Sequence, residues 1–416
     1  MSGRRSILLL GGSAAQVEAI DKARELGYRT VLCDYLPDNP GRCHADSFHL
    51  VSTTDREAVL GVARAERVEG VVAYGSDPAA PTAAYVAELM GLPGNPYEAV
   101  SMLCDKERFR GMLRQEGFPA PRFFATGGSA DADELVARAG ELACPVVVKP
   151  VDSSGSKGVS VVRSPDDVPG AVSRAIACSR KGRAIVEQFV PEVDGGIVEA
   201  EIFVVDGIVE SWVLMRSARG GGRASIVPTV SIHPPRIPLE WEASIRREIQ
   251  RLVTAAGIGD GPMNIEMAVG GGGEVYFLDV GPRNGGNLLA RFASLASGKD
   301  VVAATVESAM GGVRPEDVAY GGSPGCTWVQ HILGSSNPGV FRRVREGYPG
   351  AGELVELHLF KEPGDGVDAL VDASCEVGVA FLRFPAGASV EEVVLAVEDP
   401  CEVEDAALDG AGGCDG

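Results

Sequence analysis

The sequence lacks the marks of membrane, secreted and disulfide-rich proteins. No apolar run reaches the roughly 18 to 20 residues that a membrane-spanning helix needs, and the opening MSGRRSILLLGG is too short in apolar residues for a secretion signal. The nine cysteines are scattered singly, with no CxxC pair, which favours reduced structural thiols over disulfides or metal ligands. We therefore expect a cytoplasmic protein without a membrane partner.

An excess of basic residues is also lacking. The formal net charge is −20, whereas nucleic-acid binding depends on basic stripes that neutralise phosphates. This charge argues against a nucleic-acid partner but allows a locally basic pocket for a nucleotide. The 416 residues exceed what one core usually holds, so two or three domains are expected.

Several well-known motifs are missing as well. The turn GGSAAQ after the first apolar run is not GxGxxG, no GxxxxGK[ST] loop occurs, and neither a GxSxG elbow nor a Cys/His signature marks a nucleophile. Asp34, at the end of the second apolar run, could hold a ribose, but a substrate-facing or structural role is favoured.

Hydrophobic periodicity divides the chain into segments. SILLLGG, SAAQVEAIDKARELG and YRTVLCD predict a βαβ unit, and VEGVVAYGS with PTAAYVAELMG extends it to a parallel α/β domain over residues 1–100. One helix, SMLCDKERFRGMLRQEG, opens residues 101–310, where paired strands alternate with helices and predict α+β architecture in two subdomains, about 101–190 and 191–310. Residues 311–400 predict a small C-terminal α+β domain, and the acidic tail 401–416 is predicted to be disordered.

The most informative stretch is YFLDVGPRNGGN, residues 276–287, together with PMNIEM upstream. Glu266 and Asp279 lie on apolar runs that predict adjacent strands, where a carboxylate is costly unless it is paired or bound to a metal. Two acids followed by Arg283 suit the binding of Mg²⁺, or Mn²⁺, against phosphates. The alternative is a core salt bridge in which Arg283 is the internal partner.

Three further segments suggest a nucleotide site. Lys149 closes the run VVVK, where its ammonium could meet a phosphate, unless it only snorkels to the surface. The loop SSGSKG, residues 153–158, offers backbone N–H groups, hydroxyls and a cation for a flap over a triphosphate, although a surface hairpin turn has similar composition. In AIVEQFV, Glu187 follows a short strand and could present its backbone to an adenine edge, with apolar contact from Phe189 and Val190; a core strand is equally compatible.

Taken in order, these segments resemble the ATP-grasp superfamily of ATP-dependent carboxylate ligases over residues 101–310. The matching pieces are Lys106 in the opening helix, Lys149, the SSGSKG flap, the VEQFV hinge, and the NIEM and LDVGPR pair. The resemblance implies ATP and Mg²⁺ as cofactors, an α/β domain preceding a two-subdomain ATP-grasp fold, and Glu266 and Asp279 as metal ligands. It implies these nucleotide-binding residues: Lys106, Lys149, Ser153, Ser154, Gly155, Ser156, Lys157, Gly158, Glu187, Gln188, Phe189, Val190 and Glu199.

The sequence departs from the family in two places. The usual ExNPR reads DVGPR here, so Gly281 replaces the asparagine that helps to bind a second metal ion; Asn264, Asn284 or Asn287 could substitute. The acid expected to hold the ribose beyond the hinge is displaced by glycines, and Glu199 is the candidate, with Glu201 as the alternative.

The resemblance implies an ADP-forming carbon–nitrogen ligase in which a carboxylate becomes an acyl phosphate and an amine then displaces phosphate. Lys149 and Arg283 are the expected catalytic residues, and the flap would keep water from the intermediate. Bicarbonate activation and a nucleotide-binding protein without turnover are the alternatives. Many relatives are dimers, so a homodimer is compatible with the resemblance.

The substrates are expected to be small molecules, an amino acid or small peptide together with an amine. The segment RSARGGGR could clamp a second carboxylate, or it could be a solvated loop, and a histidine beside prolines could line the same pocket, although a structural role is favoured for it. The candidate substrate residues are Arg216, Arg219, Arg223, His233 and Asn287.

Overall fold

The computed structural model describes residues 4–191, 197–218, 228–322, 325–372, 375–398 and 400–404. They form two compact units: the first contains the described residues up to 216 and from 233 to 322, and the second contains the remainder. No helix within these ranges is long and apolar enough to cross a membrane. Arg219 and Arg223 lie outside the described residues.

The first unit opens with a four-stranded parallel sheet. Its strand order is β3-β2-β1-β4, and β1 is buried along its whole length, as expected of a parallel sheet covered on both faces. The predicted βαβ unit is confirmed. The elements are β1 Ser6–Leu10, α1 Val17–Glu25, β2 Arg29–Asp34, β3 Ser47–Leu50, α2 Arg56–Glu66, β4 Gly70–Val72 and α3 Ala80–Met90, with 3-10 turns at Ala14–Gln16 and Pro40–Cys43.

The next segment contains two helices where the sequence predicted one. These are α4, Tyr97–Leu103, and α5, Lys106–Gln115. The side chain of Asp105 accepts hydrogen bonds from the backbone N–H groups of Glu107 and Arg108 and so caps α5. A new helix therefore begins at Lys106, which places that lysine in the first turn.

A four-stranded antiparallel sheet follows, in the order β5-β8-β6-β7. Its apolar side chains pack against two helices in one core. Glu187 was predicted to follow a strand, but it lies within β8, because the ladder to β5 and β6 continues through it. The elements are β5 Phe123–Gly127, α6 Ala132–Leu142, β6 Val146–Pro150, β7 Ser160–Val162, a 3-10 turn at Pro165–Asp167, α7 Val168–Ala177 and β8 Arg183–Gln188.

A larger antiparallel sheet carries the acids. Within the first unit its strand order is β13-β12-β9-β10, and the long helix α8 packs its apolar side chains into the same core. The elements are β9 Ile197–Val205, β10 Ile208–Ala218, α8 Leu239–Ala256, β12 Gly261–Val269, β13 Val275–Gly281, α9 Leu289–Ser297, α10 Val301–Ala309 and α11 Pro315–Val318; β11, Val230–His233, comes between β10 and α8 in sequence and belongs almost entirely to the second unit.

The second unit is mainly antiparallel strands around its own core. Strand β18 pairs with β14 and β16, and β15 pairs with β17 and β19. The tail was predicted to be disordered from residue 401, but residues 401–404 form β19 by pairing with β15; residues 405–416 lie outside the described part. The elements are β14 Cys326–Leu333, β15 Gly339–Val344, β16 Glu353–Leu359, β17 Gly366–Val367, β18 Gly378–Pro385, α12 Val390–Ala396 and β19 Cys401–Glu404.

Candidate active site

Three carboxylates form a row across neighbouring strands of the larger sheet. Glu266 in β12 lies directly opposite Asp279 in β13 and directly opposite Glu199 in β9. Residues that face each other across antiparallel strands project from the same side of the sheet. The structure therefore brings together the two predicted metal ligands and the predicted ribose-binding glutamate.

The acids of this row differ in charge. Burial, followed by the charges of Asp279 and Glu199, raises the pKa of Glu266 to about 7. Burial alone would also raise the pKa of Asp279, but the cations of Lys106 and Lys149 outweigh it and lower that pKa. A charged Asp279 thus stands beside a Glu266 that binds a proton near neutral pH, and a divalent cation between them would relieve the repulsion.

The donor set of this row fits a hard cation. Among the described residues no group of three or more His, Cys, Asp or Glu is arranged to hold a metal ion. The pair Glu266 and Asp279 supplies only carboxylate oxygens, and Mg²⁺ is commonly bound by one or two carboxylates with the rest of its shell from substrate phosphates and water. The site therefore fits a metal ion that arrives with a nucleotide.

Lys106 links the acids to the predicted flap. Its Nζ lies 3.1 Å from Oδ1 of Asp279 and donates to the carbonyl oxygen of Ser153 over 3.0 Å. Burial alone would lower the pKa of Lys106, but the charges of Asp279 and Asp77 outweigh it and raise that pKa. The ammonium is therefore kept charged between the flap and the acids.

Lys149 belongs to a buried charge cluster. It forms an ion pair with Glu187, whose other oxygen lies 2.6 Å from Nε of Arg110. Arg110 and Lys149 also donate to the carbonyl oxygen of Leu278, over 2.7 Å and 3.3 Å, one residue before Asp279. The cluster ties α5, β6 and β8 to the acid-bearing strand, so Lys149 does not merely snorkel to the surface.

Arg110 was not predicted from the sequence. It lies four residues after Lys106, and residues at that spacing share a helix face. Phe109 and Leu113 of the same helix are buried, and Arg110 is fully buried with them. In the sequence, the feature that could have identified Arg110 is a cation among the apolar positions of a helix.

The flap and the hinge lie at the ends of the smaller sheet. Residues 153–158 connect β6 to β7, which pair as an antiparallel hairpin, and Gly155, Ser156 and Gly158 have φ values of +63°, +59° and +73°. Gln188 ends β8, and the N–H of Phe189 donates to the carbonyl oxygen of Pro145 over 3.2 Å. Contact of these segments with a nucleotide stays a prediction.

Arg283 has its partner in the N-terminal sheet region. Its Nη2 pairs with Asp77, in the loop between β4 and α3, and its Nη1 donates to the carbonyl oxygen of Asn284 over 2.9 Å. The alternative of a core salt bridge between Arg283 and the two metal-ligand candidates is not what the structure shows, since Asp279 pairs with Lys106 instead.

The Arg283–Asp77 pair occupies the space beside Gly281. A Cβ at that position would lie 2.6 Å from Cζ of Arg283 and 2.7 Å from Oδ1 of Asp77. Asn264 is the residue directly opposite Gly281, and its amide donates to Oε1 of Glu199 over 3.0 Å. Of the three candidate asparagines, Asn264 is the one on an acid-bearing strand.

Glu201 supports the turn that follows β13. Its carboxylate accepts hydrogen bonds from Nδ2 of Asn284 over 3.2 Å and from the N–H of Gly285 over 2.9 Å. Burial raises the pKa of Glu201 to about 8. Because Glu201 is 2% exposed and holds this turn, its contacts are those of a structural residue, and Glu199 remains the candidate for the ribose.

The predicted substrate residues in the described part of the chain lie on three separate segments. His233 is 2% exposed, with Nδ1 2.7 Å from the carbonyl oxygen of Leu214 and Nε2 3.0 Å from Oη of Tyr320. These contacts favour its structural role. Arg216 lies half-buried in β10, and Asn287 lies in the turn before α9 with φ +55°.

A cavity of about 580 Å³ opens beside Asp279. Its lining includes Lys106, Ser153 and Asp279, together with residues between 54 and 104. Periodicity could not reveal this cavity, because its walls come from segments far apart in sequence.

Comparison with known proteins identifies the family. The sequence model of a family described as the ATP-grasp domain matches residues 142–291. Formate-dependent phosphoribosylglycinamide formyltransferase of Burkholderia lata is 30% identical over 331 residues, which are 76% of this chain and 80% of that protein. The enzyme of the same name from Burkholderia cenocepacia is 31% identical over 333 residues, with the same two coverages. The chain belongs to the ATP-grasp superfamily.

Membership of the ATP-grasp superfamily makes this chain an ATP-dependent enzyme of the ADP-forming ligase family, and that family binds ATP with Mg²⁺. Solved structures agree on the ATP-grasp fold. L-amino acid ligase from Bacillus licheniformis aligns with a TM-score of 0.78 at 20% identity, covering 98% of this chain and 100% of that one. Phosphoribosylglycinamide synthetase from Anaerococcus prevotii aligns with a TM-score of 0.73 at 16% identity, covering 97% and 100%. The predicted fold class is thereby confirmed.

Proposed function

We propose that this ATP-grasp enzyme activates a carboxylate as an acyl phosphate and joins it to an amine, releasing ADP and phosphate. The observation that carries the proposal is the arrangement at Asp279. A charged carboxylate, the ammonium of Lys106 and the proton-binding Glu266 stand together, and a cavity large enough for a small polar substrate opens beside them.

The first half-reaction joins two anions, so charge must be neutralised. A carboxylate oxygen forms a bond to the γ-phosphorus of ATP while the bond to the bridging oxygen breaks and ADP leaves. Mg²⁺ held by Glu266 and Asp279 would supply positive charge at the phosphates. Lys106 is fixed between the flap and Asp279, and it adds a second cation with little reorganisation.

In the second half-reaction the amine nitrogen attacks the acyl carbon. The C–N bond forms, the C–O bond to phosphate breaks, and the amine loses a proton. Arg283 is held between Asp77 and the Asn284 carbonyl, and its Nε is buried without a hydrogen-bond partner among the described residues. In the proposal the positive charge of the Arg283 guanidinium stabilises the oxygen that becomes negative, and the 153–158 flap excludes water.

The proposal for the substrates rests on two different observations, the names of the relatives and the arginines of one segment. The names of the relatives, formate-dependent formyltransferases acting on phosphoribosylglycinamide, support a carboxylate and an amine as the partners. An amino acid or small peptide as the carboxylate rests on the arginines of segment 216–223, of which Arg216 lies in the described part.

The test measures ADP and phosphate release from MgATP over a grid of carboxylates and amines, with formate and bicarbonate-only lanes beside them. We expect release that requires both substrates. Asp279→Asn should lower it at least about a hundredfold because a metal ligand is lost, whereas Asp166→Asn, the same change at an exposed position, should leave it unchanged. Turnover with bicarbonate alone would instead identify a carboxyphosphate enzyme, and no release in any lane would refute the proposal.

A further inference from the structure

We infer that the amine acceptor of this enzyme carries no phosphate group and binds in the 580 Å³ cavity beside Asp279. The inference rests on the proposed function, because it concerns the second substrate of that reaction. It separates this chain from its relatives, which are named for a phosphorylated acceptor, phosphoribosylglycinamide.

The cavity is placed for the acceptor rather than for the nucleotide base. It meets the site at Lys106, Ser153 and Asp279, which in the proposal surround the reacting phosphate. The hinge residues 187–190 and Lys149 are not among its described lining residues. A molecule in the cavity therefore approaches the reacting group from the N-terminal sheet region.

Three cations of the lining are already paired with acids. Lys106 pairs with Asp279, Lys181 pairs with Asp105, and Arg180 reaches Asp152 through both its carboxylate and its carbonyl oxygen. A phosphate in the cavity would have to compete with these carboxylates for each cation.

Such competition is unfavourable at Arg180 and Lys181 because their acid partners are buried. The side chains of Asp105 and Asp152 are 9% and 7% exposed, and a buried carboxylate that loses its cation is strongly destabilising. Asp152 is further fixed by Oγ of Ser179 over 2.7 Å and by the N–H of Lys181 over 3.0 Å.

The fourth cation, Arg56, is held by aromatic rings. Its guanidinium carbon lies 4.7 Å from the ring centre of Tyr85 and 5.8 Å from that of Tyr97. Its Nη1 donates to Oη of Tyr97 over 2.9 Å, and its Nε lies 3.8 Å from Glu57. This arrangement leaves Arg56 flanked by an acid and two rings.

Two acids at the start of α2 contribute negative charge to the cavity. Asp55 and Glu57 belong to the lining, and Asp55 caps the N-terminus of α2 by accepting from the N–H of Ala58; Asp77 also lines the cavity, but its charge is paired with Arg283. The resulting negative potential favours an approaching ammonium or a neutral polar group and opposes a phosphate dianion.

The experiment compares amines that differ only in a phosphate group. Full-length enzyme is assayed with MgATP, the carboxylates of the grid and three pairs of amines: glucosamine and glucosamine 6-phosphate, serine and phosphoserine, and ethanolamine and phosphoethanolamine. Phosphoribosylglycinamide is assayed beside these pairs as a further phosphorylated amine. We expect kcat/KM for the unphosphorylated member of a productive pair to exceed that of its partner at least about tenfold. Faster turnover of a phosphorylated member would overturn the inference while leaving the proposed ligase standing. If ATP binds but no amine gives turnover, both the inference and the proposed ligase activity are refuted.

A charge reversal within the lining sharpens the test. Glu57 is exposed and accepts a hydrogen bond from Oη of Tyr85, so Glu57→Lys should fold. We expect it to shift the preference toward the phosphorylated member about three- to tenfold without changing the Kd for MgATP. Glu141→Lys makes the same charge change on exposed surface outside the lining and should leave the preference unchanged. An equal shift in both variants, or none in Glu57→Lys, would contradict a role for this cavity.

Discussion

At the scale of single residues, the charged groups of this site are held by partners from other elements. Arg283 meets Asp77 across 206 positions of sequence, and Arg110 meets Glu187 across 77. Because burial disfavours a lone charge, each such group is stable only while its partner is in place. A change beside one of these pairs should therefore displace a charged group of the site.

Gly281 gives one test of this coupling. The family's usual asparagine, introduced as Gly281→Asn, would place its Cβ 2.6 Å from Cζ of Arg283 and displace the guanidinium from Asp77. We expect kcat to fall at least about tenfold, with the Kd for MgATP changed less than about twofold. Gly286→Ala, in the turn that follows β13, where an added Cβ meets nothing within 4 Å, is the matched control. Full activity in Gly281→Asn would show that the pair does not position Arg283.

Glu201 gives a second test, through pH. Its pKa is raised to about 8 from an ordinary 4.5. Between these two pH values Glu201 keeps its proton in the native state and releases it in the unfolded state. The stability contributed by that proton is present at low pH and is lost as pH rises through about 8. Glu201→Gln mimics the protonated form and keeps an oxygen for Asn284 and Gly285.

We expect the free energy of unfolding of the glutamine variant, relative to the wild type, to rise by about 2 to 3 kcal/mol between pH 5.5 and 8.5. Urea unfolding at several pH values measures this difference, with Glu141→Gln as an exposed control. A difference that does not vary with pH would mean that Glu201 is charged in the native state.

At the scale of elements, α5 organises the site. Its first residue, Lys106, contacts Asp279, and Arg110 one turn later contacts Glu187 and the Leu278 carbonyl. A single helix thereby sets the relative positions of the smaller sheet and the acid-bearing strand. The Asp105 cap, by starting the helix at Lys106, fixes which side chains face the site.

Loss of Arg110 should destabilise this junction. Arg110→Met leaves Glu187, 2% exposed, with Lys149 as its remaining cation, and breaking such a buried pair costs about 3 to 5 kcal/mol. Denaturant unfolding of the variant should show a loss in that range. Arg114→Met, on the exposed side of the same helix, should change stability by less than about 0.5 kcal/mol. A similar small effect at Arg110 would mean that the cluster contributes little.

The elements also show what the sequence could and could not reveal. Lys149, Glu266, Asp279 and Arg283 were recognised because each places a charge in or beside an apolar run, whereas Lys106 was recognised only through the resemblance to the ATP-grasp superfamily. Their partners were not, since periodicity indicates which face of an element is buried but not which distant side chain it meets. Asp77 and Arg110 were revealed only by their long-range contacts in the structure. The break between α4 and α5 was revealed only by the Asp105 side chain that caps α5.

At the scale of the whole molecule, ligand binding should stabilise the strands that carry the site. A ligand that binds only the native state adds about 2.7 kcal/mol at a hundred times its Kd. With two compact units, one melting temperature would not describe the chain, so hydrogen exchange of individual elements is the suitable measurement.

MgATP should slow amide exchange in β9, β12 and β13, because Glu266 and Asp279 would hold the metal ion and Glu199 would hold the ribose. Glu266 has its pKa raised to about 7, so protons compete with Mg²⁺ below that pH, and the protection should weaken from pH 8 to pH 6. ATP with a chelator in place of Mg²⁺, and MgATP with Asp279→Asn, should each protect these strands less than MgATP protects the wild type. Equal protection under all three conditions would place the metal away from Glu266 and Asp279.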